Sequence, residues 1–116
     1  MAQRNNFKSG SCEMLILFIL KKHGDCYGSE LSQLIKKSSD GKIAFPEGSL
    51  YPALYRLIDR NLISDYKVKI GKRQQAVYYH LESAGEERLE NYLKEYRETT
   101  IAINNILDYD FSALKK

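Results

Sequence analysis

The chain has 116 residues, 43% of them hydrophobic and 28% charged, which is enough for one globular domain with one core. Its net charge of +3 is uneven: residues 1–81 carry 13 Lys and Arg against 7 Asp and Glu, residues 82–116 carry 5 against 8, and a basic front part suits a polyanionic partner. The longest apolar run, residues 14–20, is too short to cross a membrane and follows no signal-peptide pattern, so we expect a cytoplasmic protein without a membrane partner.

Two helices are predicted in the first part of the chain. Residues 1–10 are polar and end in glycine, so we expect a flexible arm. A first helix is predicted over residues 12–23; its apolar centre could also form a core strand, but a basic last turn and a following glycine favour a helix. Because this helix is apolar on all sides, we expect a second chain to cover part of it. A second helix is predicted from the segment 27–30 to about Lys37, and residues 42–45 can form a short strand.

The segment 45–60 is predicted to form a turn that opens into a third helix, around which the rest of the chain is organised. Gly48 allows the tight turn, Ser49 can cap the helix, and Pro52 falls in the first turn, where its missing N–H costs nothing. One side of this helix is apolar and carries Leu50, Ala53, Leu54, Leu57 and Ile58. The pattern therefore predicts a helix with a buried back.

The opposite side of the third helix presents tyrosine and arginine. Tyr55 and Arg56 lie there, with Tyr51 on the flank. One interpretation is a solvated face on which arginine covers the tyrosine rings. The other is a recognition helix whose start enters the DNA major groove. Taken alone, the helix favours the solvated face, and the choice depends on the surrounding chain.

Residues 65–70 and 76–81 are predicted to form a β-hairpin. In the first strand Tyr66 and the aliphatic residues share one side, with aspartate and lysine on the other, which is the pattern of a half-buried strand. The turn places Lys72 and Arg73 near the tip. A basic tip can be a solubility device on an edge hairpin, but beside a recognition helix we interpret it as a wing that contacts phosphate.

The longest predicted helix runs from Ser83 to about Tyr109 and is followed by a tail, residues 111–116. Side chains spaced three and four residues apart form a heptad seam along it: Leu89, Leu93, Tyr96, Thr100, Ile103 and Leu107, widened by Tyr92 and Ile106. Since the chain offers nothing else to cover this seam, we predict a homodimer in which the helix packs on its copy and on the first helix. The predicted dimerisation residues are Leu17, Phe18, Leu89, Leu93, Tyr96, Ile103 and Leu107.

Candidate catalytic and metal-binding residues are few. Cys12 and Cys26 lack the CxxC spacing and a cluster of histidines, which favours buried free thiols. His23 and His80 have no paired carboxylate or cysteine in a motif spacing, and the chain has no phosphate-binding glycine loop. We therefore predict that the protein is not an enzyme and that it uses no cofactor and no metal.

The predicted order of elements is that of a winged helix-turn-helix, a mostly α, α+β fold with a winged domain over residues 11–82 and a dimerisation helix over residues 83–110. Over roughly residues 12–100 the sequence also resembles the PadR family of bacterial transcriptional regulators. The resemblance rests on the apolar run 15–20 and on the segments 27–31, 48–57, 62–63 and 78–81, with Ala84 and Gly85. The block Gly-Ser-Leu-Tyr-Pro-Ala-Leu and the downstream Tyr-Tyr-His-Leu are specific, and the short C-terminal part is similar to the subfamily with a single dimerisation helix.

The resemblance implies a homodimeric repressor that binds a palindromic operator in double-stranded DNA and releases it when a small molecule or a stress signal arrives. It implies DNA contacts by Ser49, Tyr51, Tyr55, Arg56, Lys72 and Arg73. The chain departs from the family pattern at Ala76 and Val77, where a basic residue is common, so the wing's contact is expected from nearer its tip. It also has Glu82 where threonine often caps the last helix, and there Ser83 is expected to cap instead.

Two further expectations concern other partners. Some relatives bind flat aromatic drugs between paired tryptophans, but this chain has no tryptophan. Phe18, Tyr92 and Tyr96 could line a smaller pocket for a small aromatic effector, or they could form an aromatic stripe in the core. The alternative function is a winged-helix protein–protein interaction module without DNA binding, in which Tyr51 and Tyr55 anchor a partner protein.

Overall fold

The computed structural model describes residues 11–114 of the chain. Its helices and strands follow in the order α1 (Cys12–His23), β1 (Cys26–Tyr27), α2 (Gly28–Ser38), α3 (Glu47–Asp59), β2 (Ile63–Lys69), β3 (Gln75–Leu81) and α4 (Ser83–Leu107), with a 3-10 helix at Phe111–Leu114. This order confirms the predicted winged helix-turn-helix with its long last helix. The predicted arm, residues 1–10, and the last two residues of the predicted tail lie outside the described residues.

A three-stranded antiparallel sheet in the order β1, β3, β2 forms the wing and its base. β2 and β3 pair along their whole length, from Ile63 with Leu81 at the base to Lys69 with Gln75 near the tip. β1 has only two residues, and its Cys26 pairs with Tyr79. The short third strand therefore comes from the segment between α1 and α2.

The strand predicted at residues 42–45 is wrong. The hydroxyl of Ser39 accepts the backbone N–H of Ile43 at 2.9 Å and donates to the carbonyl of Ile43 at 3.1 Å. Phe45, two residues later, is buried in the core. A side-chain hydroxyl thus takes up backbone groups that a neighbouring strand would otherwise pair, and this closes a turn in place of a strand.

The starts of two helices also differ from the prediction. α3 begins at Glu47 with Pro46 at the N-cap position, and the Pro46 carbonyl accepts the backbone N–H of Ser49 at 2.9 Å. Ser49 is therefore the third residue of α3 and not its cap, Gly48 lies inside the first turn, and Pro52 lies in the helix interior. At α4 the cap predicted at Ser83 is wrong as well, because position 82 is the cap position, and the helix ends at Leu107, two residues before the predicted end.

α1 lies at the centre of the hydrophobic core, where it contacts α2, α3, α4 and β3. The predicted helix over residues 12–23 is confirmed, and its Ile16 and Leu17 are completely buried. Burying one such side chain contributes about 1.5–3 kcal/mol. Leu17 and Leu89, which were predicted to contact a second chain, are both buried within this chain. They are core residues with almost no surface to offer a partner.

The C-terminal half of α4 projects from the winged domain, and the described part of the molecule measures 74 × 35 × 24 Å. Large apolar side chains remain exposed along it: Tyr96, Ile101, Ile103, Ile106 and Leu107. Among residues 11–114, none of the helices combines the length and the apolar character needed to cross a membrane. Within the described chain, the second half of α4 therefore lacks a covering layer.

Candidate nucleic-acid interface

α3 packs against β2, so the third helix and the wing form one continuous part of the surface. Ser49 and Arg56 are seven positions apart on α3 and share one flank, whereas Tyr51 and Tyr55 are four positions apart and share the other. Pro52 lies on the outer ridge between the two flanks. The predicted surface of tyrosine and arginine therefore has two edges, and each edge has different neighbours.

The tyrosine edge contains one exposed ring and one half-buried ring. Tyr55 is 57% exposed, and its ring centroid lies 6.4 Å from that of Tyr51. Tyr51 packs over the start of α2, where a Cβ added to Gly28 would come within 3.0 Å of two ring carbons of Tyr51. Glycine at position 28 therefore allows α2 and α3 to approach each other. Tyr55 offers the larger free surface on this edge.

The arginine edge is held by a carboxylate on α1. Arg56 Nε donates to Glu13 Oε2 at 2.9 Å, and Arg60 Nη1 donates to Glu13 Oε1 at 3.3 Å. The hydroxyl of Tyr92 on α4 also donates to Glu13 Oε1, at 3.3 Å. The guanidinium of Arg88 lies 4.2 Å from the centroid of the Tyr92 ring. Arg56 is thus engaged within the chain through Nε, while its side chain remains 51% exposed.

The wing is basic from Tyr66 to its tip and back to the end of β3. The predicted Lys72 and Arg73 are exposed in the turn between β2 and β3. Lys67 and Lys69 are also exposed, and sequence reasoning missed them as candidate DNA contacts. From Tyr66 to Leu81 the chain contains these four basic residues and no aspartate or glutamate.

The orientation of β2 is opposite to the one its alternation suggested. Ile63 is buried against the core, whereas Tyr66 is 42% exposed. Because side chains alternate between the two faces of a strand, Lys67 and Lys69 lie on the same face as Ile63, which is the inner face of the sheet. On the paired strand the inner face contains Tyr79, whose pKa is raised to about 12 by burial and, secondarily, by the nearby Tyr51 and Tyr55. The lysines therefore extend the face on which the α3 tyrosines lie. The ladder register reveals this, whereas the sequence pattern favours the opposite face.

A groove with a volume of ≈ 310 Å³ lies between the start of α1 and α4. Tyr92 and Tyr96, two of the predicted effector residues, line it together with Ser11, Met14, Glu95, Thr99, Thr100 and Ile103. Phe18 does not line this groove, and its ring instead lies 5.9 Å from the Lys22 ammonium. Tyr92 therefore connects the groove to Glu13 and, through it, to the arginine edge of α3.

The base of the wing is held by a cluster of polar side chains. Asp25 accepts a hydrogen bond from the Tyr66 hydroxyl at 2.6 Å, and its other oxygen lies 2.8 Å from His80 Nδ1. Hydrogen bonds from Tyr66 and His80 lower the pKa of Asp25, and the bond to Asp25 raises the pKa of His80. His80 is therefore a strand residue whose ring is hydrogen-bonded to Asp25, a partner that no motif spacing in the sequence indicated.

The two cysteines are buried and free, as predicted. Burial is the main reason why the pKa of each thiol is raised to about 11. The structure also brings Cys26 together with His23 and Glu30, although no motif spacing connects the three residues. These are side chains that could hold a metal ion, and the sequence had predicted none.

The family model of the transcriptional regulator PadR-like family matches residues 16–91 of the chain. Among solved structures, a transcriptional regulator from Clostridium thermocellum matches with a TM-score of 0.80 and 27% identity, over 90% of this chain and 97% of that one. A PadR family transcription regulator from Clostridium difficile matches with a TM-score of 0.71 and 31% identity, over 84% and 99%. Bacillus subtilis PadR, solved in complex with operator DNA, shares the fold with a TM-score of 0.64 at 22% identity, over 70% of this chain and 45% of that one.

These matches confirm the resemblance and the winged helix-turn-helix fold that the sequence predicted. Because the family model covers more than half of the chain, this protein belongs to the PadR-like family of transcriptional regulators.

Proposed function

We propose that this PadR-like regulator binds a palindromic operator as a homodimer and represses transcription until a small molecule or a stress signal releases it. The observation that carries DNA binding is the wing, where Lys67, Lys69, Lys72 and Arg73 are exposed and no acidic side chain intervenes. Such a surface attracts phosphates and releases their counterions. The solved complex of Bacillus subtilis PadR with operator DNA supports the same use of the shared fold.

In this proposal the start of α3 enters the major groove, and the wing contacts the neighbouring backbone. The hydroxyls of Ser49 and Tyr55 are exposed and suit phosphate contacts, whereas Tyr51 contributes mainly by holding α3 against α2. In a dimer, two copies of α3 would read half-sites about 34–36 Å apart. Arg56 would join the interface through the exposed part of its side chain.

DNA binding is tested by selecting bound duplexes from a randomised pool and titrating the selected operator by fluorescence anisotropy. We expect Lys72→Ala with Arg73→Ala to weaken binding to all sequences and to lower the slope of log K against log salt by about two units. The matched control is Lys94→Ala with Arg97→Ala, which removes the same charge from α4. An equal slope for both double variants would show that the wing does not contact the DNA. Salt-insensitive capture of a protein, without DNA binding, would favour the interaction module.

Dimerisation is supported by the bare apolar stripe of α4. Ile103 is 39% exposed and Leu107 is 74% exposed, and both belong to the predicted heptad seam. A contiguous apolar surface of this kind is typical of a protein–protein interface. The second chain would cover Tyr96 as well, and Phe18 and Leu93 remain candidates at its margin.

The dimer is tested by light scattering, which should give twice the mass of one chain. We expect Ile103→Asp to dissociate the dimer, because the seam would bury an unpaired charge. Ile101→Asp is the matched control, since Ile101 is 60% exposed on the same helix but lies off the seam. A wild-type protein that is monomeric at working concentrations, or equal dissociation by both variants, would overturn the proposed dimer.

The groove between α1 and α4 supports release by a small molecule. Tyr92 lines the groove and donates to Glu13, which holds Arg56. A small aromatic ligand that displaces Tyr92 would change the partners of Glu13 and therefore the freedom of α3. This step is tested by titrating aromatic compounds into the complex of protein and operator. We expect a compound that releases the operator from the wild-type protein, and we expect Tyr92→Phe, which lacks the hydroxyl that bonds Glu13, to change the concentration needed for release.

A further inference from the structure

Three side chains with metal-binding groups meet where α1 ends and α2 begins. His23 lies in the last turn of α1, Cys26 in β1 and Glu30 in the first turn of α2. Cys26 Sγ is 3.2 Å from His23 Nδ1, and His23 Nε2 is 3.8 Å from Glu30 Oε2. One ligand atom from each residue lies within 4.8 Å of the others. Cys26 pairs with Tyr79 on one face of the sheet, whereas Tyr66 and His80, which contact Asp25, belong to the other face, so the two polar clusters use different faces.

The backbone around the cluster orients these groups. Cys26 is completely buried and is paired with Tyr79 in the sheet, which fixes the position of its thiol. The backbone N–H of Tyr27 donates to Glu30 Oε1 at 3.3 Å, so the other carboxylate oxygen faces His23. The His23 side chain is 44% exposed and provides a route from solvent. The three groups are therefore held close together before any ion arrives.

We propose that His23, Cys26 and Glu30 bind one Zn²⁺ ion or a similar transition-metal ion. Zinc accepts sulfur, nitrogen and oxygen ligands at about 2.3, 2.0 and 2.0 Å in a tetrahedral arrangement, which places neighbouring ligand atoms roughly 3.2–3.6 Å apart. Cys26 and Glu30 lie next to different ring nitrogens of His23, and only one of these nitrogens can bind the ion. One ligand atom of each residue already lies within 4.8 Å of the others, so rotation of the exposed imidazole and of the Glu30 carboxylate is needed to bring the three atoms into this range. Calcium and magnesium prefer all-oxygen sites and do not suit a thiol and an imidazole.

Three protein ligands leave the fourth position of the ion for water or for another ligand. On binding, the Cys26 thiol gives up the hydrogen bond that it donates to the Gly24 carbonyl at 3.2 Å, and its proton passes to solvent. The ion would then link the end of α1 to the start of α2, and both of these helices contact α3. The structural alternative is a hydrogen-bonded trio that binds no ion.

The direct test is a titration of the purified chain with Co²⁺, which reports a thiolate ligand through a charge-transfer absorption band. We expect one Co²⁺ per chain, and we expect Zn²⁺ to displace it. Cys26→Ser should abolish the band, whereas Cys12→Ser, which removes the other buried thiol, should leave it unchanged. His23→Gln and Glu30→Gln should each weaken binding at least about tenfold, and His80→Gln should not.

Circular dichroism of each variant without metal shows whether it is folded. If Cys26→Ser does not fold, His23→Gln and Glu30→Gln decide, because both change side chains outside the fully buried core, which are 44% and 28% exposed. Absence of a charge-transfer band in the wild type, or unchanged affinity in both of these variants, overturns the proposed site. The titration contains no DNA, so its outcome is independent of the proposed operator binding.

Discussion

Gly85 marks the place where α4 leaves the winged domain, and replacing it with alanine tests how tightly this junction is packed. Gly85 is the third residue of α4 and is buried. A Cβ there would lie 2.6 Å from Leu81 Cδ1 and 3.1 Å from the carbonyl carbon of Leu62, and it would overlap the Leu62 carbonyl oxygen. That carbonyl accepts the backbone N–H of Glu82 at 3.0 Å, so it cannot move without loss of a hydrogen bond. We therefore expect Gly85→Ala to strain the junction.

The expected magnitude follows from two opposing effects. Replacing glycine by alanine in an exposed helix favours folding by up to about 1 kcal/mol. Overpacking against a core costs about 1–3 kcal/mol, and here the nearest atom belongs to the backbone. We expect a net loss of about 2 kcal/mol in the free energy of unfolding, which corresponds to a fall in Tm of roughly 8 °C.

Gly48→Ala is the matched control, because Gly48 also lies in the first turn of a helix but has nothing within 4 Å of its added Cβ. The free energy of unfolding of Gly48→Ala should rise by a few tenths of a kcal/mol, up to about 1 kcal/mol. Both variants would be unfolded with urea at one protein concentration and followed by circular dichroism. Equal stability changes in the two variants, or a more stable Gly85→Ala, would refute the packing argument.

Glu13→Gln keeps the shape of the side chain but removes the charge that holds Arg56 and Arg60, so we expect tighter operator binding. The slope of log K against log salt should steepen by about one unit for each arginine that gains a phosphate, and an unchanged slope would show that neither does. For the pair of Asp25 and His80, Asp25 stabilises the fold above about pH 4 and loses this effect as the pH falls, because its pKa is lowered. His80 has a raised pKa, so its contribution is complete below about pH 6.5 and is lost as the pH rises. Asp25→Asn should therefore flatten the dependence of Tm on pH. A wild-type Tm that shows no maximum between about pH 4 and about pH 6.5 would contradict this expectation.

Much of the fold could be predicted from short stretches of sequence. The apolar run of α1, the one-sided pattern of α3 and the basic turn after β2 each lie within a window of a few turns or one hairpin. Within such windows, side-chain periodicity and glycine positions determine which backbone conformation buries the apolar groups. The cap of α3 was missed because Pro46 takes the position that Ser49 could also have filled.

Only the tertiary structure decided which partner each polar side chain found. Glu13 contacts Arg56, 43 positions away, and Tyr92, 79 positions away, so the arginine of the third helix is engaged with its own chain. The pairing of β1 with β3 turned Cys26 into the core beside His23. Side-chain alternation along β2 was visible in the sequence, but which face became the inner one depended on how the sheet packs on the helices. By itself the sequence determined the four helices, the hairpin, their order and the chemistry each one carries, because these follow from neighbours along the chain. The third strand at Cys26–Tyr27 and the contacts between distant residues depend on the packing of those elements, which local patterns do not contain.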